Sequence, residues 1–299
     1  MPPIAAPAKV NLRLVVMARE ESGYHQLETI FCALTLADAL TLDLEMRGLR
    51  VTVHGADLGP PEQNLVYRAA RAFFTAAGLP EHARIVLHKS IPAAAGLGGG
   101  SSDAASTLRG LNEAHGSPLD DVALTRIAGT LGADVPFFLC GSPCALGWNR
   151  GDRLLPLDPL PQRPVLLAVP PRPIPTVDAY RALAAARSAG SDALPGSTAA
   201  TPFETAAHAF VLSRTALADW DALRSLARND FEDVLFPQYP ELAAIRDDLM
   251  HAGATVALLA GSGSAVFGVF PHADARASAV ERIAANHVGV RTIETRTGR

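Results

Sequence analysis

An α+β fold arranged as a sandwich and divided into two domains is predicted by three features of the sequence. The chain has 299 residues and a hydrophobic share of 48%, long for one compact core and rich enough in apolar residues to support two. Helical and antiparallel-strand patterns follow one another in the order expected of an α+β sandwich. Around residues 147–153 and 156–164 the composition shifts to Gly, Asp and Pro, which places a boundary there and divides the chain into residues 1–153 and residues 154–299.

The opening is strand-rich. Residues 9–18 (KVNLRLVVMA) alternate polar and apolar side chains at first, residues 20–25 hold a turn around Gly23, and residues 27–44 continue as strand-like apolar segments with Asp38 at a turn. Residues 50–54 (RVTVH) alternate again. Residues 64–77 put Leu65, Ala69, Ala72 and Phe73 on one face, begin at Asn64, a capping residue type, and stop before Gly78, which reads as a helix. A strand at residues 83–89 (ARIVLHK) precedes a helix over residues 101–115, where Ala104, Leu108 and Leu111 fall at helical spacing. Another amphipathic helix, residues 120–131, ends in the turn Gly132-Ala133-Asp134.

Past the boundary, residues 164–169 (PVLLAV) read as a buried strand and residues 176–187 as a helix. Residues 188–205, rich in Ser, Gly, Ala and Thr, read as a mobile surface connection. Helices follow at residues 220–227 and 240–252, the second with Leu242, Ile245 and Leu249 on one face. Short strands at residues 255–260 and 265–270 flank a second glycine loop, Gly261-Ser262-Gly263-Ser264; a helix over 273–286 and a strand over 288–294 close the chain. There is no internal repeat.

The stretch between the strand at 83–89 and its following helix, IPAAAGLGGGSSD at residues 91–103, carries four glycines within five residues, Gly96, Gly98, Gly99 and Gly100. Each gives up more backbone entropy on folding than any other residue would, so the loop needs a reason. Strand, glycine loop and helix in that order make an anion site, because stacked backbone N–H groups at a helix N-terminus can be approached closely by a phosphate. Ser101 or Ser102 is the expected cap of the helix. Neither familiar phosphate loop is present: no lysine follows as in GxxxxGK[ST], and Ser101 occupies the sixth position of GxGxxG. The ordinary alternative is a flexible turn with a helix cap.

Composition narrows the partners. The formal net charge is −4 and no Lys/Arg run is clustered, which argues against a nucleic-acid or anionic-membrane partner and for small soluble ligands. The start, MPPIAAPAKVN, lacks a basic segment followed by an apolar core, and no apolar run reaches the ~18 residues of a spanning helix; a cytoplasmic protein is expected. Cys32, Cys140 and Cys144 are too few for a disulfide framework, and the CxxxC pair has no partner pair to complete a zinc site, so they read as small core residues.

Two charged positions stand in apolar or Gly/Pro contexts. Lys9, in APAKVNL, is ordinarily a solvated strand-end lysine, and Asp134, in LGADVPFF, is ordinarily the N-cap of a helix with Pro136 in its first turn. The alternative is that the Lys9 ammonium holds the Asp134 carboxylate ionised and aimed at a substrate hydroxyl, as general-base phosphoryl transfer requires. Spacing leaves both readings open.

Read together, PAKVNL near the start, PAAAGLGGGSSDAA in the middle and the late GATVALLAGSGSAVF resemble, in order and spacing, the three motifs of the GHMP kinase superfamily. Within it, GGGSS, the tripeptide Gly23-Tyr24-His25 and LGADVPFF resemble the members that phosphorylate a cytidine-diphosphate polyol, over essentially the whole chain and least across residues 188–219. The resemblance implies a GHMP kinase fold. Its parts are an N-terminal α/β domain (ribosomal protein S5 domain 2-like) with a left-handed crossover and a C-terminal ferredoxin-like domain, the active site lying in the cleft between them. It implies that ATP phosphates lie on Pro92, Ala93, Ala94, Ala95, Gly96, Leu97, Gly98, Gly99, Gly100, Ser101 and Ser102, with Asn64 near the adenine. Lys9 and Asp134 match the catalytic lysine and aspartate, and Asn11 the asparagine that places the polyol hydroxyls. Tyr24, His25 and, from the opposite side, Tyr180 match the residues that hold cytosine.

Two departures stand out. Ala260 replaces the serine that commonly opens the late motif, and no carboxylate matches the glutamate that binds magnesium in other GHMP kinases. Mg²⁺ is therefore expected to be held mainly through ATP phosphates and water, with Ser102 the protein candidate, since magnesium usually keeps several waters. The expected partners are ATP and a cytidine-diphosphate polyol, for a monomer or weak homodimer. The rival readings are a GHMP kinase for a smaller alcohol of the homoserine or mevalonate type, disfavoured by Gly23-Tyr24-His25, and a sensing module that keeps the fold without chemistry, disfavoured by Lys9 and Asp134.

Overall fold

The computed structural model describes residues 2–19, 25–191, 217 and 219–298. It begins with two long antiparallel strands, β1 (Ile4–Arg19) and β2 (His25–Asp43). Ala8, Val10, Leu12, Leu14 and Val16 of β1 are all buried, the period-two pattern of a strand with one face in the core. The length of β2 lets it hold two further partners, one at each end. Its second half pairs with β4 (Ala83–His88) and its first half with β5 (Cys144–Trp148). The expected turn at Asp38 is not there. Asp38 pairs with Ala6 inside the strand, and its carboxylate accepts the N–H groups of Ser90 at 2.5 Å and Ile91 at 2.8 Å and meets the Lys89 ammonium. The polar groups that satisfy this acid come from the end of a neighbouring strand, so the chain has no need to turn towards water.

β3 (Leu49–His54) lies parallel to β4 and is joined to it through α1 (Leu65–Ala77). Asn64 caps α1 by accepting the Val66 N–H at 2.9 Å, and Gly78 ends it in the left-handed region at φ 65°. After β4 come α2 (Gly99–Ala114), α3 (Asp121–Leu131) and the hairpin of β5 with β6 (Arg153–Pro156). The first sheet is completed from far along the chain by β8 (Arg228–Asn229), which pairs parallel to β1, giving the order β3-β4-β2-β1-β8 with the β5–β6 hairpin beside β2.

The second sheet contains β7 (Pro164–Val169), β9 (Val256–Leu259), β10 (Val266–Val269) and β11 (Arg291–Arg296), antiparallel throughout in the order β11-β7-β10-β9. That order, with α7 (Pro240–His251) and α8 (Ala273–Asn286) packed on it, is ferredoxin-like. The uninterrupted apolar run of β7 is explained by its two faces. Val165 and Leu167 pack against Val10, Leu12, Ile30 and Leu34 of the first sheet, while Leu166 and Ala168 pack with Leu242, Ile245, Leu249, Ala279 and Ile283 from the helices. On its other face the first sheet is covered by Phe73, Phe74, Leu108, Leu111 and Leu124 of α1–α3. The layers are helices, sheet, sheet, helices.

Between the sheets' strands run α4 (Thr176–Ser191), α5 (Trp220–Leu226) and α6 (Glu232–Gln238). The connection expected from residue 188 is α4 to Ser191, and its remainder lies outside the described residues. The last strand starts later than expected, at Arg291, leaving Val288 exposed. Cys32 and Cys144 are buried free thiols in register on β2 and β5, and Cys140 is half-buried. Among the described residues no helix is long and apolar enough to cross a membrane.

Candidate active site

A cleft of about 930 Å³ is lined from β1, β2, the loop before α2, the turn after α3, α4 and the late glycine loop. Its floor is polar where a core would be apolar. β1 shifts register between Pro7 and Lys9 and again between Asn11 and Arg13, and the segment between carries the buried side chains of Lys9 and Asn11 into the cleft. A buried ammonium needs partners to offset its lost hydration. Lys9 Nζ donates to Asn11 Oδ1 at 2.8 Å and to the Gly96 carbonyl at 3.1 Å, and lies 3.3 Å from Asp134 Oδ2. Asn11 in turn donates to Thr29 Oγ1 at 2.7 Å, and the Thr29 hydroxyl donates to the Arg13 carbonyl at 2.8 Å. The ammonium is thus held in place by a chain of directed bonds.

Asp134 is not a helix cap. The short 3-10 helix Pro136–Leu139 starts from Val135 with no side-chain cap, which leaves the Asp134 carboxylate paired only with Lys9 among the bonds described and 33% exposed to the cleft. Of the two open readings of these residues, the geometry selects the ion pair.

The glycine loop occupies one wall, every residue from Pro92 to Ser101 lining the cleft. The expected serine cap of α2 is replaced by Gly98, at φ 69°, and the helix starts at Gly99, so Ser101 and Ser102 fall within its first turns. Glycine is needed at two positions in particular. A Cβ on Gly98 would lie 2.8 Å from Lys9 Cγ, and one on Gly96, at φ 78°, only 1.8 Å from the Ala260 carbonyl oxygen. The Ser102 hydroxyl is fully buried and has no hydrogen-bond partner among the described residues. Behind the loop Lys89 sits between Asp38 and Asp103, at 2.7 Å from Asp103 Oδ2. Burial is the largest influence on Asp103 and, against the opposing pull of Lys89, raises its pKa to about 7.

At the opposite wall Tyr180 of α4 meets the edge of Phe231 with ring centroids 4.9 Å apart. Burial, and then the nearby negative charge of Asp134, push its hydroxyl up to about 12, so it remains a donor. Thr176 and Ser262 share a hydrogen bond at 2.9 Å and supply the hydroxyls of this corner, while Ala260 is fully buried with its carbonyl against Gly96.

The structure therefore brings Lys9, Asn11, Asp134, Tyr180 and the loop from Pro92 to Ser101 to one cleft. Ser102 lies just behind the loop, and Asn64 serves as the α1 cap, with its neighbour Leu65 lining the cleft. Tyr24 and the side chain of His25 lie outside the described residues; the backbone of His25 opens β2 opposite Arg19. Sequence reasoning missed Thr29, Phe31, Thr176 and Phe231, which line the cleft. Each looks like an ordinary strand or helix-start residue, and only the tertiary placement makes it part of the site.

The GHMP kinases N terminal domain matches residues 64–142 and the GHMP kinases C terminal domain residues 211–289. A 4-diphosphocytidyl-2-C-methyl-D-erythritol kinase from Pelotomaculum thermopropionicum is 40% identical over 267 residues, covering 88% of this chain and 87% of that protein. A crystal structure of 4-(cytidine 5'-diphospho)-2C-methyl-D-erythritol kinase superposes with a TM-score of 0.78 at 36% identity, covering 99% of both chains. A homoserine kinase from Cytophaga hutchinsonii superposes with a TM-score of 0.67 at 17% identity over 99% of this chain and 93% of its own, a likeness of fold alone. The chain belongs to the GHMP kinases and, among them, to the 4-diphosphocytidyl-2-C-methyl-D-erythritol kinase family.

Proposed function

We propose that the chain transfers the γ-phosphoryl group of ATP to the 2-hydroxyl of 4-diphosphocytidyl-2-C-methyl-D-erythritol, a step of the non-mevalonate route to isoprenoid precursors, in the cytoplasm. The observation that carries this reading is the pairing of Lys9 with Asp134 at 3.3 Å, beside a glycine loop that opens a helix into the same cleft. In it residues 1–153 supply the phosphate wall and residues 154–299 close the cleft, a division that falls within β6, ahead of β7, while β8 returns from the second part to the first sheet.

The residues fit a nucleoside triphosphate. The free N–H groups at the start of α2 favour negative charge, and the unpartnered Ser102 hydroxyl beside them is a buried oxygen in want of a cation or donor. ATP with Mg²⁺ would supply the phosphoryl group and the neutralising charge; the cation would be held chiefly by phosphate and water, with Ser102 the candidate protein ligand. Asp134, exposed towards the cleft, accepts the proton of the acceptor hydroxyl. Lys9 orients that carboxylate and stabilises charge that develops on the transferred group. Asn11, fixed by Thr29, positions the polyol. Tyr180 offers a ring face to cytosine, with Tyr24 and His25 assigned the other face and the base edge.

Turnover of ATP with and without the cytidylated polyol tests the assignment. Dependence on that substrate is expected. Turnover with homoserine or mevalonate instead, or binding without turnover, would replace the reading with a small-alcohol kinase or a sensing module. Asp134→Asn is expected to fold and bind ATP yet lose about two to four orders of magnitude in turnover, the range for a positioned general base. Near-wild-type turnover in that variant would remove the base from Asp134.

A further inference from the structure

Four consecutive residues outside every motif used so far, Asn229-Asp230-Phe231-Glu232, tie together elements that surround the cleft. The buried Asn229 carboxamide donates to the Leu259 carbonyl at 2.9 Å and to the Gly261 carbonyl at 2.7 Å, and its oxygen accepts the Phe231 N–H at 3.0 Å. Asp230 accepts the Val16 N–H of β1 at 3.0 Å and pairs with Arg187 of α4 at 3.2 Å. Phe231 carries the ring against which Tyr180 rests. Glu232 Oε1 accepts the Leu259 N–H at 2.7 Å.

β9 is an edge strand of the second sheet, and β8 pairs with β1 of the first. Asn229 and Glu232 therefore complete the edge of β9 with side chains where another strand would use its backbone, and they join the two sheets at the late glycine loop. That loop touches the reacting centre. A Cβ on Gly261 would lie 3.0 Å from the Gly96 carbonyl oxygen, the acceptor of Lys9, and 3.4 Å from Lys9 Nζ itself. Asn229 is hydrogen-bonded to Gly261, which packs against Gly96 and the Lys9 ammonium, and it does not itself line the cleft.

We propose that Asn229, assisted by Glu232, is a positioning residue for phosphoryl transfer, which through Gly261 and Gly96 sets where the Lys9 ammonium stands. Misplacement of about 1 Å from a remote change can lower a rate about a hundredfold, and the donor pair of Asn229 is the sort of fixed contact whose loss permits it. The inference rests on the kinase reading. A wild-type chain that does not phosphorylate the cytidylated polyol overturns that reading, whereas a competent wild type with an unaffected Asn229 variant overturns this one alone.

The experiment uses the full chain with Mg²⁺, ATP and the cytidylated polyol, with rates normalised to the folded fraction from a denaturant titration. Asn229→Ala is expected to lower kcat about a hundredfold while the KM for the cytidylated polyol hardly moves. Asn229→Asp keeps the shape, but its ionised carboxylate faces two carbonyls; protonation restores a donor, so its kcat relative to wild type is expected to rise as the pH falls. Glu232→Gln keeps an acceptor for the Leu259 N–H and is expected to retain far more kcat than Glu232→Leu. If Asn229→Ala does not fold, the Asp variant and the Glu232 pair decide the matter. Unchanged kcat per folded molecule, a parallel loss in kcat and every KM, or a pH-independent ratio for the Asp variant would each overturn the proposal.

Discussion

The two glycine loops of this chain look alike in composition and work in opposite ways. The early one, from Pro92 to Ser101, lies open along the cleft and leads straight into the N-terminus of α2, so its backbone groups face whatever enters. The late one, Gly261 to Ser264, is buried on nearly every side, its first carbonyl taken by Asn229 and its first serine bonded to Thr176. Where the loops meet, Gly96 lies directly on the Ala260 carbonyl. Beyond Gly96 the first loop leaves amides open to a ligand at the start of α2, whereas Gly96 and Gly261 let the two backbones touch. A string of glycines is thus evidence of close approach, and what approaches is decided by which polar groups remain unclaimed.

The most damaging way to break the contrast is to separate the loops. Gly96→Ala puts a Cβ 1.8 Å from the Ala260 oxygen, at a φ of 78°. Left-handed backbone costs about 1–2 kcal/mol and forced overpacking about 1–3 kcal/mol, so a stability loss of about 3 kcal/mol with severe loss of turnover is expected. An unchanged denaturation midpoint would show that the loops do not need this contact. Smaller and more selective are Gly98→Val, whose side chain would press on Lys9 and Phe138, and Gly99→Val, whose side chain would press on Ile91 and Lys89, so that either displaces the amides that open α2 towards a phosphate. ATP affinity is expected to fall about tenfold or more, equivalent to about 1.4 kcal/mol, with the cytidylated substrate much less affected. Equal losses for both ligands would mean that the early loop is structural like the late one.

The finest distinction concerns charge. Each loop is backed by a buried carboxyl whose pKa burial raises to about 7, Asp103 behind the early loop and Glu232 behind the late one. In the unfolded chain these groups have ordinary values of 3.8 and 4.5. Between those values and about 7 the fold binds protons that the unfolded chain has released, so their contribution to stability is full at lower pH and is lost as the pH rises through about 7. Denaturant midpoints measured from pH 5 to pH 8 are expected to show a shallower decline in Asp103→Asn and in Glu232→Gln than in wild type. Identical slopes in all three would place the proton uptake elsewhere.

Much of this is legible in the sequence. α1 announces itself through Asn64 and Gly78, β7 through an apolar run buried on two faces, and the family through three motifs whose combination outweighs each alone. What was hidden shares one physical cause, satisfaction by distant partners. Asp38 suggests a turn until the N–H groups of Ser90 and Ile91 are seen beside it. Ser101 and Ser102 suggest a cap until Gly98 takes the position with a left-handed φ. Asp134 suggests a cap until Lys9 arrives from the first strand. Small polar residues carry local preferences that long-range bonds override, and Asn229, with no periodicity around it, gave no local signal at all.

The short strand β8 and the last residues before the C-terminus carry a consequence for how the protein is made. The first sheet is not finished until Arg228 and Asn229 pair with Arg13 and Leu14, and residues as late as Thr297 and Gly298 bond to Leu34 and Ala33 of β2. Its inner face, with Val10, Leu12, Ile30 and Leu34, packs with Val165 and Leu167 of β7, Trp220, Leu223 and Leu226 of α5, Leu258 of β9 and Phe267 of β10, all from the second half of the chain. A ribosome that has released only the first half of the chain therefore carries a nascent sheet with one greasy face bare to water. Such surfaces recruit chaperones or aggregate, so synthesis speed across the second half sets how long that exposure lasts.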